Sequence, residues 1–347
     1  MISKKHKLLV IGSTPGSYGG MEAYMLALAE AASKWPEFEV KICFKLVKGT
    51  KGTPNLKHLA ENVCSDVRFV QSGSLDLFKM IAWADILHVQ NTPPDVTFVA
   101  RLLGKKIFLT VHNWRRTTLS IHHLLWGVSV KLANYRWFNS HFVWNTWEPT
   151  KKSSNSNSIP TVSKLPSGWC PPKDRKGFLF VGRWIPRKGI QELIRAYALS
   201  KFDPVEWPLT ILGEGPIKEE VLALIAELGI DVRMPGFVDE ETKNNYLASC
   251  RWLLAPALTK EDLGLTPIEA RSVGVPSIVT RDGGLPEAGG PAALVAEPGD
   301  VADLARCMQI AASMSEEEYQ KRGELAQASL AQFLKPLEYY RQAYTTY

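Results

Sequence analysis

Two carboxylates separated by seven residues, Glu261 and Glu269, bracket the segment E-D-L-G-L-T-P-I-E. Thr266 reads as an N-cap, Pro267 as the first helical residue and Glu269 as the third residue after the cap, so the segment predicts a helix that starts there. Free backbone N–H groups at such a start attract anions, and Gly264 just upstream lets a ligand approach the backbone closely. A carboxylate on either side can accept from hydroxyl groups. A diphosphate flanked by two polyols, as in a nucleotide sugar, suits this set. The plainer account is that Glu269 only completes a capping box and Glu261 is a solvated loop charge.

Cations that could meet a diphosphate stand after the strand-like GFLFVG, which ends in Gly182. Arg183 and Lys188 follow, five residues apart, around a loop stiffened by Pro186. The planar fork of Arg and the point charge of Lys suit a diphosphate, and a solvated basic turn has the same sequence. Arg187 reads as solvated. Gly16, Gly19 and Gly20 lie between the first strand and the first helix, but GSYGGM departs from G-x-G-x-x-G, so the phosphate-loop signal is weak. Glu22 falls on that helix's first turn, where the helix dipole alone accounts for it. His112 closes KIFLTVH at the kind of strand end where open parallel sheets bind ligands, and a structural role serves it equally well. His88 is a weaker candidate of the same type; His122 and His123 carry no implied chemistry. The turns Gly213-Glu214-Gly215 and Gly236-Phe237-Val238 suit a flat base, through stacking and main-chain hydrogen bonds, or serve as simple connections.

The elements that must position these residues form two series of alternating strands and helices, the pattern of parallel sheets covered on both faces. The first has strands at 7–12, 38–44, 66–71, 85–90, 106–112 and 141–145, with helices at about 21–33, 74–83, 95–103 and 118–137. The stretch 151–177, rich in Ser, Asn, Pro and Lys, reads as a connection in which a strand could hide. The second has strands at 177–182, 209–215, 232–237, 252–257, 276–280 and 292–296, with helices at 189–199, 217–228, 239–248, from Pro267, and over 300–332. At 347 residues the chain suits two domains of about 150 to 175 residues each. Two Rossmann-like domains follow, with ligands expected at the carboxyl ends of their strands, in the cleft between them.

Composition excludes several classes. Apolar content of 45% with 22% charged residues is ordinary for a globular protein. The five cysteines are odd in number, widely spaced and without metal-like pairing, which points to a reducing compartment, no disulfides and no structural zinc. The opening MISKKHKLLVIGSTPG reads as a first strand and not a signal peptide. No apolar run reaches the length of about 18 residues that a membrane span needs. A net charge of +6 without a nucleic-acid module signature argues against nucleic-acid binding.

In order, the motifs strand-GR-x4-KG, LGEGP, PGFV, E-x7-E with GLTPIEA, GVPSIVT and GGLPE resemble the retaining glycosyltransferases of family four, also described as glycosyl transferases group 1. The resemblance is close over about 177–290 and looser before it, where GGMEAY (19–24) and LTVHN (109–113) carry it. It implies an α/β protein of GT-B fold: 1–160 an acceptor domain, 161–332 a nucleotide-sugar donor domain facing it across a cleft, and 333–347 a helix crossing back to the first domain. It implies transfer of a sugar from a nucleoside diphosphate donor with retained anomeric configuration, a hexosyl transfer that needs no metal and no cofactor; the absence of Asp-x-Asp agrees with this. By motif position, Arg183 and Lys188 would hold the diphosphate and stabilise the leaving group. Glu261 would hold the donor sugar's hydroxyls, Glu269 the ribose, and the N–H groups of Gly264, Leu265 and Thr266 would sit against sugar and phosphate. His112 would contact the sugar near the reacting carbon, with Gly19 and Gly20 approaching the phosphate. Gly213, Phe237 and Val238 complete the expected donor-binding set. Leu263 stands where the family usually has Phe, and the first domain is short, which leaves the acceptor type open.

The expected acceptor is a glycan or lipid-linked saccharide of bacterial envelope or exopolysaccharide synthesis, and the expected location is the cytoplasm. Trp114, Arg115, Arg116, Trp126, Lys131, Arg136, Trp137, Trp144 and Trp147 suggest either a basic aromatic face for peripheral contact with the inner face of the membrane or ordinary core packing. A nicotinamide-dependent dehydrogenase is disfavoured by the missing G-x-G-x-x-G. A non-catalytic nucleotide-sugar binding scaffold of the same fold is the alternative, against which the four intact residues Arg183, Lys188, Glu261 and Glu269 argue.

Overall fold

The computed structural model describes residues 5–118, 120–168 and 170–346. Leu119, in the expected helix at 118–137, and Trp169, in the expected connection at 151–177, lie outside the described residues, as do the first four residues of the segment read as leading into the first strand. The chain divides into two compact units, Met1–Lys164 with Lys335–Tyr347, and Leu165–Leu334.

The first unit runs β1 (His6–Thr14), α1 (Gly20–Ser33), β2 (Phe38–Leu46), α2 (Pro54–Val63), β3 (Val67–Gln71), α3 (Leu75–Trp83), β4 (Ile86–Gln90), α4 (Pro94–Leu102), β5 (Lys106–Val111), α5 (Ile121–Leu132), β6 (Tyr135–Phe138), α6 (His141–Trp147) and β7 (Ser156–Ser158). Its sheet is parallel, in the order β3-β2-β1-β4-β5-β6-β7. The order reverses between β1 and β4, which makes their carboxyl ends the natural crevice of this unit. Leu8 and Val10 feed one core layer and Leu9 and Ile11 the other, as a strand covered on both faces requires.

The second unit runs β8 (Lys176–Val181), α7 (Ile190–Ser200), β9 (Leu209–Leu212), α8 (Lys218–Leu228), β10 (Arg233–Gly236), α9 (Glu240–Ser249), β11 (Cys250–Ala255), α10 (Leu265–Ser272), β12 (Ser277–Thr280), α11 (Leu285–Gly289), β13 (Leu294–Ala296), α12 (Val301–Ser313) and α13 (Glu316–Phe333). The order β10-β9-β8-β11-β12-β13 reverses between β8 and β11. A capping box of Ser315 and Glu318 opens α13.

The last helix, α14 (Glu338–Thr346), belongs to the first unit, where Tyr340, Ala343 and Tyr344 enter the core beside Phe108 and Trp137. Trp137 is fully buried, stacked on Phe108 with ring centroids 5.5 Å apart and edge-on to Tyr340 at 4.7 Å.

Several local expectations are corrected. The helix expected over 118–137 stops at Leu132, and YRWF becomes strand β6, because Tyr135, Trp137 and Phe138 prefer a pleated, buried surface. HFVWN, read as a strand, is helix α6, capped by Ser140 accepting from the Val143 N–H at 3.0 Å. Helix α2, unread in the sequence, starts with a Thr53 cap and Pro54 at its first position. The connection at 151–177 hides β7. Thr266 is not the N-cap of α10: Gly264 is, with φ +94 and no side-chain cap bond, so the helix begins at Leu265. Glu269 therefore lies beyond the first turn and is no capping-box partner.

Candidate active site

Residues of the second unit converge at the switch between β8 and β11. After β8, Pro186–Lys188 form a short 3-10 turn that ends at Gly189, whose φ of +70 and close approach to the Pro256 carbonyl leave no room for a Cβ. The Arg187 carbonyl accepts from the Leu258 N–H at 2.9 Å, tying this turn to the loop after β11. Lys188 Nζ thereby lies 2.8 Å from Glu261 Oε2, and Arg187 Nη1 3.4 Å from the same oxygen. Arg187, read as solvated, is thus the outer member of a three-residue ion cluster. Arg183 is exposed and has no ion pair among the described residues.

Glu261 is held from behind. The Asp282 carboxylate accepts from the Lys260 and Glu261 N–H groups at 2.6 and 2.8 Å, and the Gly284 N–H donates to the Glu261 carbonyl at 2.8 Å. These bonds hold Lys260 at φ +36, a left-handed conformation that a non-glycine residue keeps only under outside constraint. Further along the loop, the N–H groups of Leu265 and Thr266 lie in the first turn of α10, where no intrahelical carbonyl serves them.

Glu269 projects from α10 to Lys243 on α9, with Oε1 to Nζ at 2.9 Å; Lys243 also meets Glu240 at 2.7 Å. Burial raises the Glu269 carboxyl above its usual range, and Lys243 offsets part of that rise. For Lys243 burial acts downward, but the two carboxylates more than compensate and leave its ammonium held above the usual value. The structure does not bring Glu261 and Glu269 into contact; each has its own cation.

The base-side turns line up on neighbouring strands. Gly213 N–H donates to the Gly236 carbonyl at 2.8 Å, and Trp184 N–H to the Glu214 carbonyl at 2.9 Å. Phe237 is 82% exposed, an aromatic face open to solvent, whereas Val238 packs against the apolar cluster around Leu179 and Leu212. Leu263 is buried.

In the first unit, Gly19 is the N-cap of α1 and Gly20 its first residue, with no side-chain cap bond. Glu22 is 4% exposed and its Oε1 has no hydrogen-bond partner among the described residues, a deeper burial than a first-turn dipole role needs. His112 follows directly after β5. Its Nε2 lies 2.9 Å from Gln90 Oε1, its Nδ1 3.3 Å from Thr161 Oγ1, and its N–H donates to Asn91 Oδ1 at 3.0 Å. Beneath it, His88 bonds Thr110 Oγ1 through Nε2 at 2.6 Å and Tyr344 Oη through Nδ1 at 2.5 Å. Burial pushes His112 down to about 4 and His88 down to about 3, the latter with a smaller contribution from His112, so both imidazoles are neutral near pH 7.

Sequence reasoning missed Asp282, Lys243 and Gln90. Asp282 and Gln90 were signalled only by standing at or just after strand ends. Lys243 gave no local signal, since α9 lacks apolar periodicity and the partner lies 26 residues away. The tryptophans mostly turn inward: Trp137 is core, and Trp114, Trp144 and Trp147 pack on the apolar cluster under α6.

A family model described as glycosyl transferases group 1 matches residues 165–328. N-acetyl-alpha-D-glucosaminyl L-malate synthase of Bacillus anthracis is 30% identical over 269 residues, covering 71% of this chain and 70% of that protein. O-antigen chain mannosyltransferase B of Escherichia coli is 32% identical over 153 residues, 43% of this chain, and the match spans only 38% of that relative's length. Among solved structures, Anabaena HepE in complex with UDP superimposes with a TM-score of 0.78 at 16% identity, covering 98% of this chain and 99% of that one. A Rickettsia africae glycosyltransferase gives 0.79 at 18% identity, covering 98% of each. The chain has the GT-B fold and belongs to the glycosyl transferases group 1 family.

Proposed function

We propose that the protein is a retaining, metal-independent hexosyltransferase that moves a sugar from a nucleoside diphosphate sugar to a hydroxyl of a glycan or lipid-linked saccharide. The observation that carries this reading is the Lys188–Glu261 pair at the switch between β8 and β11, beside the free N–H groups that open α10. In the reaction the bond from the anomeric carbon to the diphosphate oxygen breaks, and the acceptor oxygen bonds to that carbon on the same face. The acceptor proton passes to the departing phosphate. Lys188, Arg183 and the α10 N-terminus stabilise the charge that develops on the leaving group. Glu261 accepts from sugar hydroxyls and Glu269 from the ribose, with the Gly213 and Phe237–Val238 turns taking the base. From the first unit, His112 meets the sugar near the reacting carbon, and Gly19 and Gly20 approach the phosphate. The UDP bound to HepE and the sugar transfers named for the relatives support the donor class.

A cytoplasmic role in envelope or exopolysaccharide synthesis belongs to the same proposal. No described helix is long and apolar enough to cross a membrane. Exposed Ile121 and Leu124 on α5, with exposed Arg115 and Arg116 before it, favour peripheral contact with an anionic bilayer over a purely structural role for that face. The decisive experiment presents UDP-, GDP- and ADP-sugars with saccharide acceptors in the presence of a chelator and reads the anomeric configuration by NMR. Turnover that survives chelation, retains configuration and disappears in Lys188→Ala supports the proposal. Nucleotide binding without turnover on any acceptor favours the scaffold, and an inverted product rejects the mechanism.

A further inference from the structure

The surroundings of His112 carry a further assignment, which rests on the reading that this side chain meets the donor sugar. Both ring nitrogens are engaged, Nε2 by Gln90 Oε1 at 2.9 Å and Nδ1 by Thr161 Oγ1 at 3.3 Å. An amide oxygen only accepts, so Nε2 bears the proton and Nδ1 accepts from the Thr161 hydroxyl; the assignment comes from the heavy-atom partners. The backbone is fixed too, because the His112 N–H donates to Asn91 Oδ1, and Asn91 sits at φ +59. Tyr24 of α1 closes a third side, edge-on with ring centroids 6.0 Å apart.

Gln90 is fully buried, yet its Nε2 has no partner among the described residues. A buried amide donor without a protein partner is destabilising, so packing alone does not account for Gln90 at this position. An aliphatic residue, like its neighbours Leu87 and Val89 on β4, would avoid that penalty. Register shows what Gln90 does instead. It stands opposite Thr110 on β5, one rung above the His88–Thr110 bond, so a column of uncharged polar groups rises from Tyr344 through His88 and Thr110 to Gln90 and His112.

We infer that Gln90 is a positioning residue that fixes His112 as the neutral Nε2–H tautomer with its ring plane set, leaving Nδ1 as an acceptor for a ligand hydroxyl. The Thr161 hydroxyl, at the longer of the two distances, holds that place until a ligand hydroxyl takes it. A hydroxyl that donates is therefore preferred at this point over a group that only accepts. The titratable groups facing the column are His88 of β4, Tyr24 of α1, and Tyr340 and Tyr344 of α14.

The test uses the full chain with nitrogen-resolved NMR of the histidine rings. In the parent protein His112 should report the Nε2–H tautomer from about pH 8 to about pH 5. Gln90→Leu should mix the tautomers, and Gln90→Glu, which sets a carboxylate against Nε2, should raise the titration midpoint by about one unit or more. For transfer, Gln90→Leu should lower kcat about tenfold with donor KM within about threefold, and Gln90→Glu should move the acid limb of the pH profile upward. An unchanged tautomer and midpoint in Gln90→Leu overturns the assignment whatever the turnover. If the Gln90 variants do not fold, Thr161→Val decides: a retained Nε2–H tautomer supports the assignment and a switch to Nδ1–H overturns it. The underlying reading fails separately, if His112→Ala transfers normally while the ring signals respond to Gln90 as expected.

Discussion

At the sheet reversal of the second unit, ionised groups face ionised groups: Glu261 meets Lys188 and Arg187, and Glu269 meets Lys243. Beside the reversal of the first unit, on β4, on β5 and just after it, His88, Gln90, Thr110 and His112 hydrogen bond with no charge among them near neutral pH. The same topology thus supports two kinds of electrostatics. Side chains at the second reversal remain 15 to 48% exposed, so water and ions reach them, and a bound anion can exchange one partner for another at modest expense. The β4–β5 column is fully buried at His88, Gln90 and Thr110 and partly exposed only at its His112 end. It can present hydrogen bonds of fixed direction but cannot accept a proton without disrupting its own packing. Salt should perturb one unit and acid the other.

Substitutions can separate the two. The largest effect is expected from Lys188→Ala, which removes a preorganised cation and should lower kcat about 100- to 1,000-fold in a chelated transfer assay; a loss under about threefold would mean that the charged reversal is not where the leaving group is stabilised. Acid comes next. Because the two histidines titrate at about 3 and about 4 when folded and near 6.5 when unfolded, the unfolded chain binds more protons between those values. Stability is therefore fully present above about pH 6.5 and lost as pH falls toward about 3, a loss on the order of several kcal/mol. Denaturant melts followed by Trp fluorescence at several pH values check this, and His88→Gln should flatten the slope.

Lys243→Met should weaken nucleotide binding about tenfold and make it more sensitive to acid. Without the cation the Glu269 carboxyl rises further above its usual range, so its charge is lost at higher pH; titration calorimetry with a nucleoside diphosphate across pH reads the shift. Asp282→Ala leaves two loop N–H groups without their acceptor and should reduce kcat more than stability, with a melting change worth about 1–2 kcal/mol. Arg187→Gln is expected to matter least, under about 1 kcal/mol in nucleotide affinity, because its side chain is 48% exposed and Lys188 already serves Glu261. An effect as large as that of Lys188→Ala would overturn the ranking of the two cations.

The sequence disclosed the second unit better than the first, for physical reasons. Period and turn chemistry there mark the strand ends that carry Lys188 and Glu261, and the cation and carboxylate types announce their task. In the first unit the sequence around 118–147 misled, because aromatic residues in YRWF and HFVWN fit a helix or a strand until Ser140 caps one and the sheet pairs the other. The cap of α10 was misplaced because Thr266 and Pro267 satisfy local rules, while the tertiary loop, bent at Gly264 and tied to Asp282, starts the helix earlier. Gln90 and Lys243 act on partners brought close only by folding, and a single sequence carries no mark of that.

The return of α14 to the first unit also orders events in time. Residues Met1–Lys164 leave the ribosome long before Tyr340 and Tyr344, with all of Leu165–Leu334 made in between. At about 5–20 residues per second the wait is on the order of ten seconds or more. Through that interval Trp137, Phe108 and His88 lack the cover they have at the end, so the nascent first half has reason to depend on a chaperone, and a chain released early keeps a sticky aromatic face that quality control can recognise.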